Sequence, residues 1–276
     1  MTGHSRPDAG AIPAIPASAA PRSDRIALAT EGPIAFATLC RPPVNAIDEP
    51  WIAQLDAILD ALERAEAVSV LVLRSSERVF SAGADLELMR ARFDTEAGRA
   101  RMVAFVRALQ RCYARLERLE KVTIAAIGGA ALGGGLELAL ACDLRVVADT
   151  ATVGLPESRL GLIPGAGGTQ RLTRLAGAAT AKRVILGAET VRGAEAAALG
   201  IVQWVAPAGE LDRRVRAIAE QVAALPAPAL AASKRCIRAA LAPEGDGYGL
   251  EVGATGALLA AAETQRRIRG FLEGRR

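Results

Sequence analysis

Two carboxylates and two glycine-rich turns are the residues of this 276-residue chain best suited to chemistry. Glu137 falls in the first turn of a helix that would start at the glycines of LGGGLEL, on an otherwise apolar stretch. Glu157 follows Leu155-Pro156 in a loop. A pair of carboxylates can give and take protons within one reaction. In SAGADL, Gly83 permits a sharp turn that would leave the Ala84 amide pointing outward where a helix begins. Gly133, Gly134 and Gly135 do the same in LGGGLEL, and Gly134 has no Cβ to obstruct a ligand. Free N–H groups at a helix N-terminus suit a developing negative charge. Two of them converging on one oxygen would form an oxyanion hole, each worth roughly 2.7–4 kcal/mol of transition-state stabilisation. Each feature also has a plain structural account. Tight turns need glycine, a first-turn glutamate complements the helix dipole, and a glutamate in a loop belongs at the surface. Spacing alone does not put the two carboxylates side by side.

Other chemistries are excluded by what is missing. The one histidine, His4, sits in an Ala/Pro/Ser-rich tail, which removes a Ser-His-Asp triad and histidine-based metal sites. Cys40, Cys112, Cys142 and Cys236 are far apart with no CxxC spacing. They suggest neither zinc nor a disulfide framework, and read as small buried hydrophobes in a reducing compartment. The GAGG run at 165–168 is not a dinucleotide fingerprint, because Gln170 stands where the last glycine is needed, and no GKS/T follows for a P-loop. Acid–base work therefore falls to carboxylates, Lys, Tyr or Cys.

The elements that must position these groups follow from periodicity. Residues 1–24 carry four prolines and no periodic pattern, and are expected to be a disordered leader rather than a signal peptide. IALAT and PIAFATL read as a hairpin around Glu31-Gly32. Asp48 is placed to cap a helix burying Trp51, Leu55, Ile58, Leu59 and Leu62. VSVLVLRS reads as a buried strand, SAGAD as a turn into a helix near Asp85, and 99–120 as a longer helix. TIAAIGGA and LRVVAD are expected strands flanking the helix of LGGGLELALA. A helix is expected near 168–176, then AKRVILGAETV and GAEAAALG as helices, and IVQWVAP as a strand. From 209 onward the pattern is helical, with a break at 245–249. Hydrophobic residues make up 51% and aromatics only 3%, so the core must be built from Ala, Leu and Val. Glu137 and Asp143 interrupt the most apolar stretch, so no membrane span is expected. This gives a β-rich α/β body at 25–208 and a helical section at 209–276.

Residues 123–172 and FSAGADL (80–86) closely resemble the crotonase, or enoyl-CoA hydratase/isomerase, superfamily. The likeness extends more loosely from PPVNAI (42–47) to GFLEGR (270–275). It implies a spiral of ββα units with a helical C-terminal trimerisation section, assembled as a trimer or a dimer of trimers. It implies that the amides of Ala84 and Gly134 form the oxyanion hole for a thioester oxygen. Glu137 would activate water for attack at C3, and Glu157 would exchange the proton at C2. Ala82, Ala84, Asp85 and Leu86 would lie along the coenzyme A moiety, with Gly134 and Gly165 lining the pocket. Asp85 is equally placed to be a helix cap. No metal or redox cofactor is implied, coenzyme A being part of the substrate. Glu87, where the family often has lysine, and the absence of a lysine before the NAI element remove positive charge that could meet the phosphates of coenzyme A.

The reading that results is a cytoplasmic 2-enoyl-CoA hydratase. A Δ3,Δ2-enoyl-CoA isomerase needs only the Glu157 position, and a methylglutaconyl-CoA-type hydratase shares GGGLELALACD. From another class, a nucleic-acid binder would use the net charge of +4 and Arg266, Arg267, Arg269, Arg275 and Arg276. Their interspersion with apolar residues at helical spacing favours an oligomer interface or a coenzyme A contact instead. Met89, Phe93, Met102 and Phe105 are candidate acyl-pocket walls and equally candidate core.

Overall fold

A computed structural model of the chain describes residues 25–242 and 245–274, so the leader read at 1–24 lies outside the described residues. The first two β-prone runs form β1 (Ile26–Glu31) and β2 (Ile34–Leu39), an antiparallel hairpin with Glu31 opposite Ile34. Asp48 caps α1 (Glu49–Arg64), accepting from the Trp51 amide at 2.9 Å, and the expected apolar face is buried. Strand β3 (Val70–Ser75) leads through SAGAD and the short α2 (Leu86–Arg90) to α3 (Glu96–Arg118). α3 starts at Glu96 rather than at residue 99 because the Thr95 hydroxyl accepts from Gly98 N at 3.0 Å.

The chain then makes β4 (Val122–Ile127), β5 (Ala131–Leu132) and α4 (Gly134–Leu140). It repeats the pattern with β6 (Leu144–Ala148), β7 (Thr152–Gly154), a 3-10 turn at Pro156–Leu160 and α5 (Gly168–Leu186). Between 177 and 192 the structure departs from the sequence pattern. α5 runs past residue 176 with a kink at Gly177 (φ +80°), and the helix expected through AKRVILGAETV stops at Leu186. Thr190–Arg192 is instead β8, antiparallel to β7, with the β-branched Val191 buried between them. α6 (Gly193–Ala198) and the short β9 (Trp204–Ala206) complete the body. Four helices come after it: α7 (Leu211–Ala223), α8 (Ala227–Ala240), α9 (Gly247–Ala260) and α10 (Ala262–Leu272).

Two sheets result. The larger runs β1-β2-β3-β4-β6-β9 and is parallel after the first pair, while the smaller runs β5-β7-β8. β3 and β4 are buried on both faces, which is why VLVL and VTIAAI are continuous apolar runs. α7 packs across β3, β4 and β6. Each winding visits the large sheet, crosses to the small one and returns by a helix. An isolated bridge from Ser81 to Ala131 extends the small sheet by one more winding. This register stacks three turns: Leu132 N donates to Ser81 O at 3.0 Å, and Gly133 N to Gly154 O at 3.0 Å.

Cys112 and Cys142 are buried as expected, but Cys40 and Cys236 are only half-buried, and none of the four is in a disulfide. Among the described residues no helix is long and apolar enough to cross a membrane. α9 and α10 bury none of their described residues within the chain, leaving Tyr248, Val252, Phe271 and Leu272 exposed. Arg266 and Arg267 pair with Glu263. α8 is tied to the body by Lys234, whose ammonium meets Leu119 O, Lys121 O and Asp143 Oδ2 at 2.6, 2.8 and 2.6 Å. All three donors are used in a largely buried setting. Replacing Lys234 by Met should cost roughly 2–3 kcal/mol, read as a lower urea midpoint with an unchanged slope.

Candidate active site

The stacked turns carry the candidate residues. Asn45, buried in the PPVNAI loop at φ +50°, accepts from Arg41 N at 2.8 Å and donates to Ser75 Oγ and Phe80 O at 2.8 and 3.0 Å. Ser81 Oγ donates to Asn45 O at 2.8 Å and accepts from Gly83 N at 3.1 Å. Ile47 N donates to Gly83 O and Asp85 N to Ile47 O, both at 2.9 Å. This parallel bridge uses the Gly83 carbonyl and the Asp85 amide, on either side of Ala84. The Ala84 N–H itself donates to no group among the described residues.

The neighbouring turn meets it closely. Gly83 has φ +92°, and a Cβ there would lie 2.9 Å from Leu132 O and 3.0 Å from Gly134 N. A Cβ on Gly134 would lie 3.5 Å from Ala84 N, and one on Gly135 would lie 2.3 Å from Ser81 O. The three glycines of LGGG are thus not equivalent. Gly133 makes the turn at φ +52°, Gly134 sets its backbone against Ala84, and Gly135 allows the SAGAD segment to approach. Tyr113, buried on α3 and set edge-on to Trp51, donates to Gly134 O at 2.9 Å.

Glu157 abuts this junction, and Glu137 lies in the first turn of the helix that starts there. Glu137 is only 2% exposed, and its Oε1 accepts from Ala166 N at 2.8 Å and Gly168 N at 2.7 Å. Burial pushes its carboxyl up to about 7, the Gly168 and Ala166 amides work against that rise, and the charge of Glu157 adds to it. Glu157, one residue into the 3-10 turn after Pro156, has Oε1 against Gly133: a Cβ on that glycine would lie 3.1 Å away. Its Oε2 is buried and has no hydrogen-bond partner among the described residues. Burial raises its pKa too. The surface account of Glu157 therefore does not hold.

The remaining candidates separate. Asp85 is a helix cap, accepting from Glu87 N and Leu88 N at 2.9 and 3.3 Å, and its other oxygen takes Arg41 at 2.6 Å. Burial would raise its carboxyl, but Arg41 and the capping amides outweigh it and hold the group below the usual carboxylate range. Ala82 and Leu86 are exposed beside Ala84. Gly165 faces Val106 and gives its carbonyl to Gln110 at 2.6 Å. Glu87 pairs with Arg90 on the surface. Phe105 is core, Met89 and Met102 are half-buried, and Phe93 is exposed. Sequence reasoning misses the Ala166 and Gly168 amides, which have no side-chain signature, and the tie from Tyr113. An otherwise apolar stripe containing a tyrosine was a usable signal, since a buried hydroxyl needs a partner. Among the described residues no cluster of His, Cys, Asp or Glu could hold a metal ion.

The enoyl-CoA hydratase/isomerase family model matches residues 29–276. A short-chain-enoyl-CoA hydratase of Clostridium acetobutylicum is 32% identical over 256 residues, covering 92% of this chain and 96% of that protein. The chain belongs to the enoyl-CoA hydratase/isomerase family. A probable enoyl-CoA hydratase of Bacillus subtilis is 39% identical over 72% of the chain and 76% of its own length. Among solved structures, DspI of Pseudomonas aeruginosa superposes with a TM-score of 0.87 at 34% identity, covering 94% of this chain and 98% of that one. An enoyl-CoA hydratase structure from Geobacillus kaustophilus gives 0.87 at 29% identity, over 93% and 96%. The spiral of strands and helices is therefore the crotonase fold, and the chain is an enzyme of that superfamily.

In this family member the buried Glu137 costs stability when ionised. The folded state holds its proton up to about pH 7, whereas an unfolded glutamate releases it near 4.5. Between those values the folded state binds more protons, so stability falls as pH rises, by ~3 kcal/mol across the window. Gln at 137 can still accept both amides and carries no charge. Chemical denaturation from pH 5 to 8 should show Glu137→Gln gaining on the wild type as pH rises, with little difference at the acid end.

Proposed function

We propose that the protein catalyses the reversible hydration of trans-2-enoyl-CoA to 3-hydroxyacyl-CoA. The observation that carries this reading is the buried Glu137 carboxylate and the buried Oε2 of Glu157, close enough for the charge of one to raise the pKa of the other, beside the amides of Ala84 and Gly134, which donate to no group among the described residues. In this reading both amides donate to the thioester oxygen, which makes C3 electrophilic and stabilises enolate character at C2. Glu137 keeps its second oxygen for water and takes a proton as the water oxygen bonds to C3. Glu157 delivers a proton to C2, so that H and OH add across the double bond. One proton between two carboxyls is what this needs, and burial, which raises the pKa of both, together with the Glu157 charge, which raises that of Glu137 further, favours it. Coenzyme A lies along Ala82, Ala84, Asp85 and Leu86, Gly165 lines the pocket, and no metal or redox cofactor takes part. The amide-held Glu137 supports hydration over isomerisation, which needs Glu157 alone.

The reading includes assembly as a cytoplasmic trimer or dimer of trimers, supported by the apolar residues that α9 and α10 expose. Light scattering at micromolar concentration should give a multiple of the chain mass, and a monomer mass would remove this part of the proposal.

Loss of the 2-enoyl thioester absorbance, screened from C4 to C16 esters without added cofactor, tests the activity. No hydration beside clear isomerisation of 3-enoyl-CoA would move the protein to the isomerase branch. Glu137→Gln and Glu157→Gln should each lower kcat by at least ~10² with little change in KM. Exchange of the C2 proton of a saturated acyl-CoA needs no attack at C3, so Glu137→Gln should keep more of it than Glu157→Gln. A folded Glu157→Gln that hydrates at the unmodified rate would make the mechanism wrong.

A further inference from the structure

The Glu137 carboxylate is fixed by a loop rather than by another side chain. Ala166 N and Gly168 N both point at Oε1, and a Cβ on Gly168 would lie 2.9 Å from that oxygen. Between them Gly167 stands at φ +108°, its carbonyl accepting from the Gln170 and Arg171 amides at 3.1 and 2.8 Å to begin α5. Two side chains tether this loop from outside. Gln110 on α3 holds Gly165 O. Arg171 donates from Nη1 to Ala166 O at 2.9 Å, and a Cβ on Gly167 would lie 2.3 Å from that same nitrogen. The guanidinium is buried and cannot drift, because Nε and Nη2 both donate to Glu117 Oε2 on α3, at 3.1 and 2.9 Å.

We propose that Arg171 is a positioning residue for the proton transfer assigned to Glu137, pinning the Ala166–Gly168 loop and, through its two amides, the carboxylate. The inference rests on the reading of Glu137 as the group that handles water. Arg171 acts at one remove, through the Ala166 peptide and through its charge. The groups that face Glu137 are Glu157 from the 3-10 turn, Tyr113 from α3 and Arg171 from α5. Burial and the Glu157 charge disfavour the Glu137 carboxylate, and the Arg171 cation favours it. Tyr113 stays protonated, since burial lifts its pKa well above the ordinary phenol value. Loss of Arg171 therefore loosens the carboxylate and also makes it harder to ionise. A mere clamp between α3 and α5 would affect stability and leave the pH dependence of turnover alone.

The experiment is the pH profile of kcat and KM for hydration of a 2-enoyl-CoA ester by the wild type, Arg171→Met, Arg171→Lys, Glu117→Gln and Glu137→Gln. Arg171→Met should lose roughly 10- to 100-fold in kcat at little change in KM. Its acid limb should move up by roughly half a pH unit or more. Arg171→Lys keeps the charge and should hold the limb near the wild-type position while recovering only part of kcat. A folded Arg171→Met with unchanged kcat and an unmoved acid limb overturns the proposal. If Arg171→Met does not fold, the lysine and Glu117→Gln variants decide. Glu117→Gln removes the anchor's charge and should lower kcat with KM kept, and wild-type kcat in both overturns the proposal. An inactive Glu137→Gln beside an unmoved Arg171→Met defeats this inference alone. Full activity in Glu137→Gln defeats the function proposed for Glu137 as well.

Discussion

A carboxylate buried as deeply as Glu137 must find donors or stay neutral, and much of the local structure answers that requirement. α4 has seven residues, every one of them buried, and Glu137 is its only charged group. Among the described residues no cation hydrogen-bonds to it. Its two donors come instead from the backbone of the segment opening α5, which has to fold back over α4 to deliver them. This explains why GAGG lies where it does. A side chain at Gly168 would collide with the carboxylate, and one at Gly167 with the arginine that braces the loop. The donors hold the group without neutralising it, so its pKa stays raised.

The same economy governs the other half of the site. Ala84 and Gly134 are neighbours because Ser81, Ala131 and Val153 stand in one register, each the entry to a turn that leaves the small sheet. The Ile47 bridge takes the Gly83 carbonyl and the Asp85 amide, the Ser81 hydroxyl takes the Gly83 amide, and the Ala84 amide is left over. The unused donor is thus a consequence of strand geometry, and no side chain has to be conscripted to expose it. Glycine is required where two such turns touch, since at Gly83 and Gly135 any Cβ would meet a carbonyl oxygen within 3 Å.

How much of this could be read from residues alone depended on where the information sits. Strands buried on both faces and helices with one apolar stripe carry their pattern locally, so β3, β4, α1 and α3 were legible to within a few residues. β8 was not, because its three residues owe their conformation to pairing with β7, and nothing in AKRVILGAETV announces that partner. The glutamates were visible as candidates, but their proximity was not, since it is set by a β5–β7 register between segments with little pattern of their own. The donors to Glu137 were invisible for a more basic reason. Every non-proline residue has an amide, and only the fold says which ones are free.

The two carboxylates are unequal in a way that bears on how the site works. Glu137 is satisfied on one oxygen by two short hydrogen bonds, whereas Glu157 keeps a buried oxygen with no partner among the described residues. An unmet buried acceptor costs roughly 1–3 kcal/mol. Pro156 fixes the entry to its turn, and Gly133 leaves just enough room for the carboxylate. Such a cost is retained where the missing donor arrives with something else, a water or a substrate, and is recovered when it binds. Glu137 is built to stay where it is, and Glu157 is built to be completed. Under the hydration proposed for this site, that asymmetry suits a Glu137 that holds a water in place and a Glu157 whose proton comes and goes.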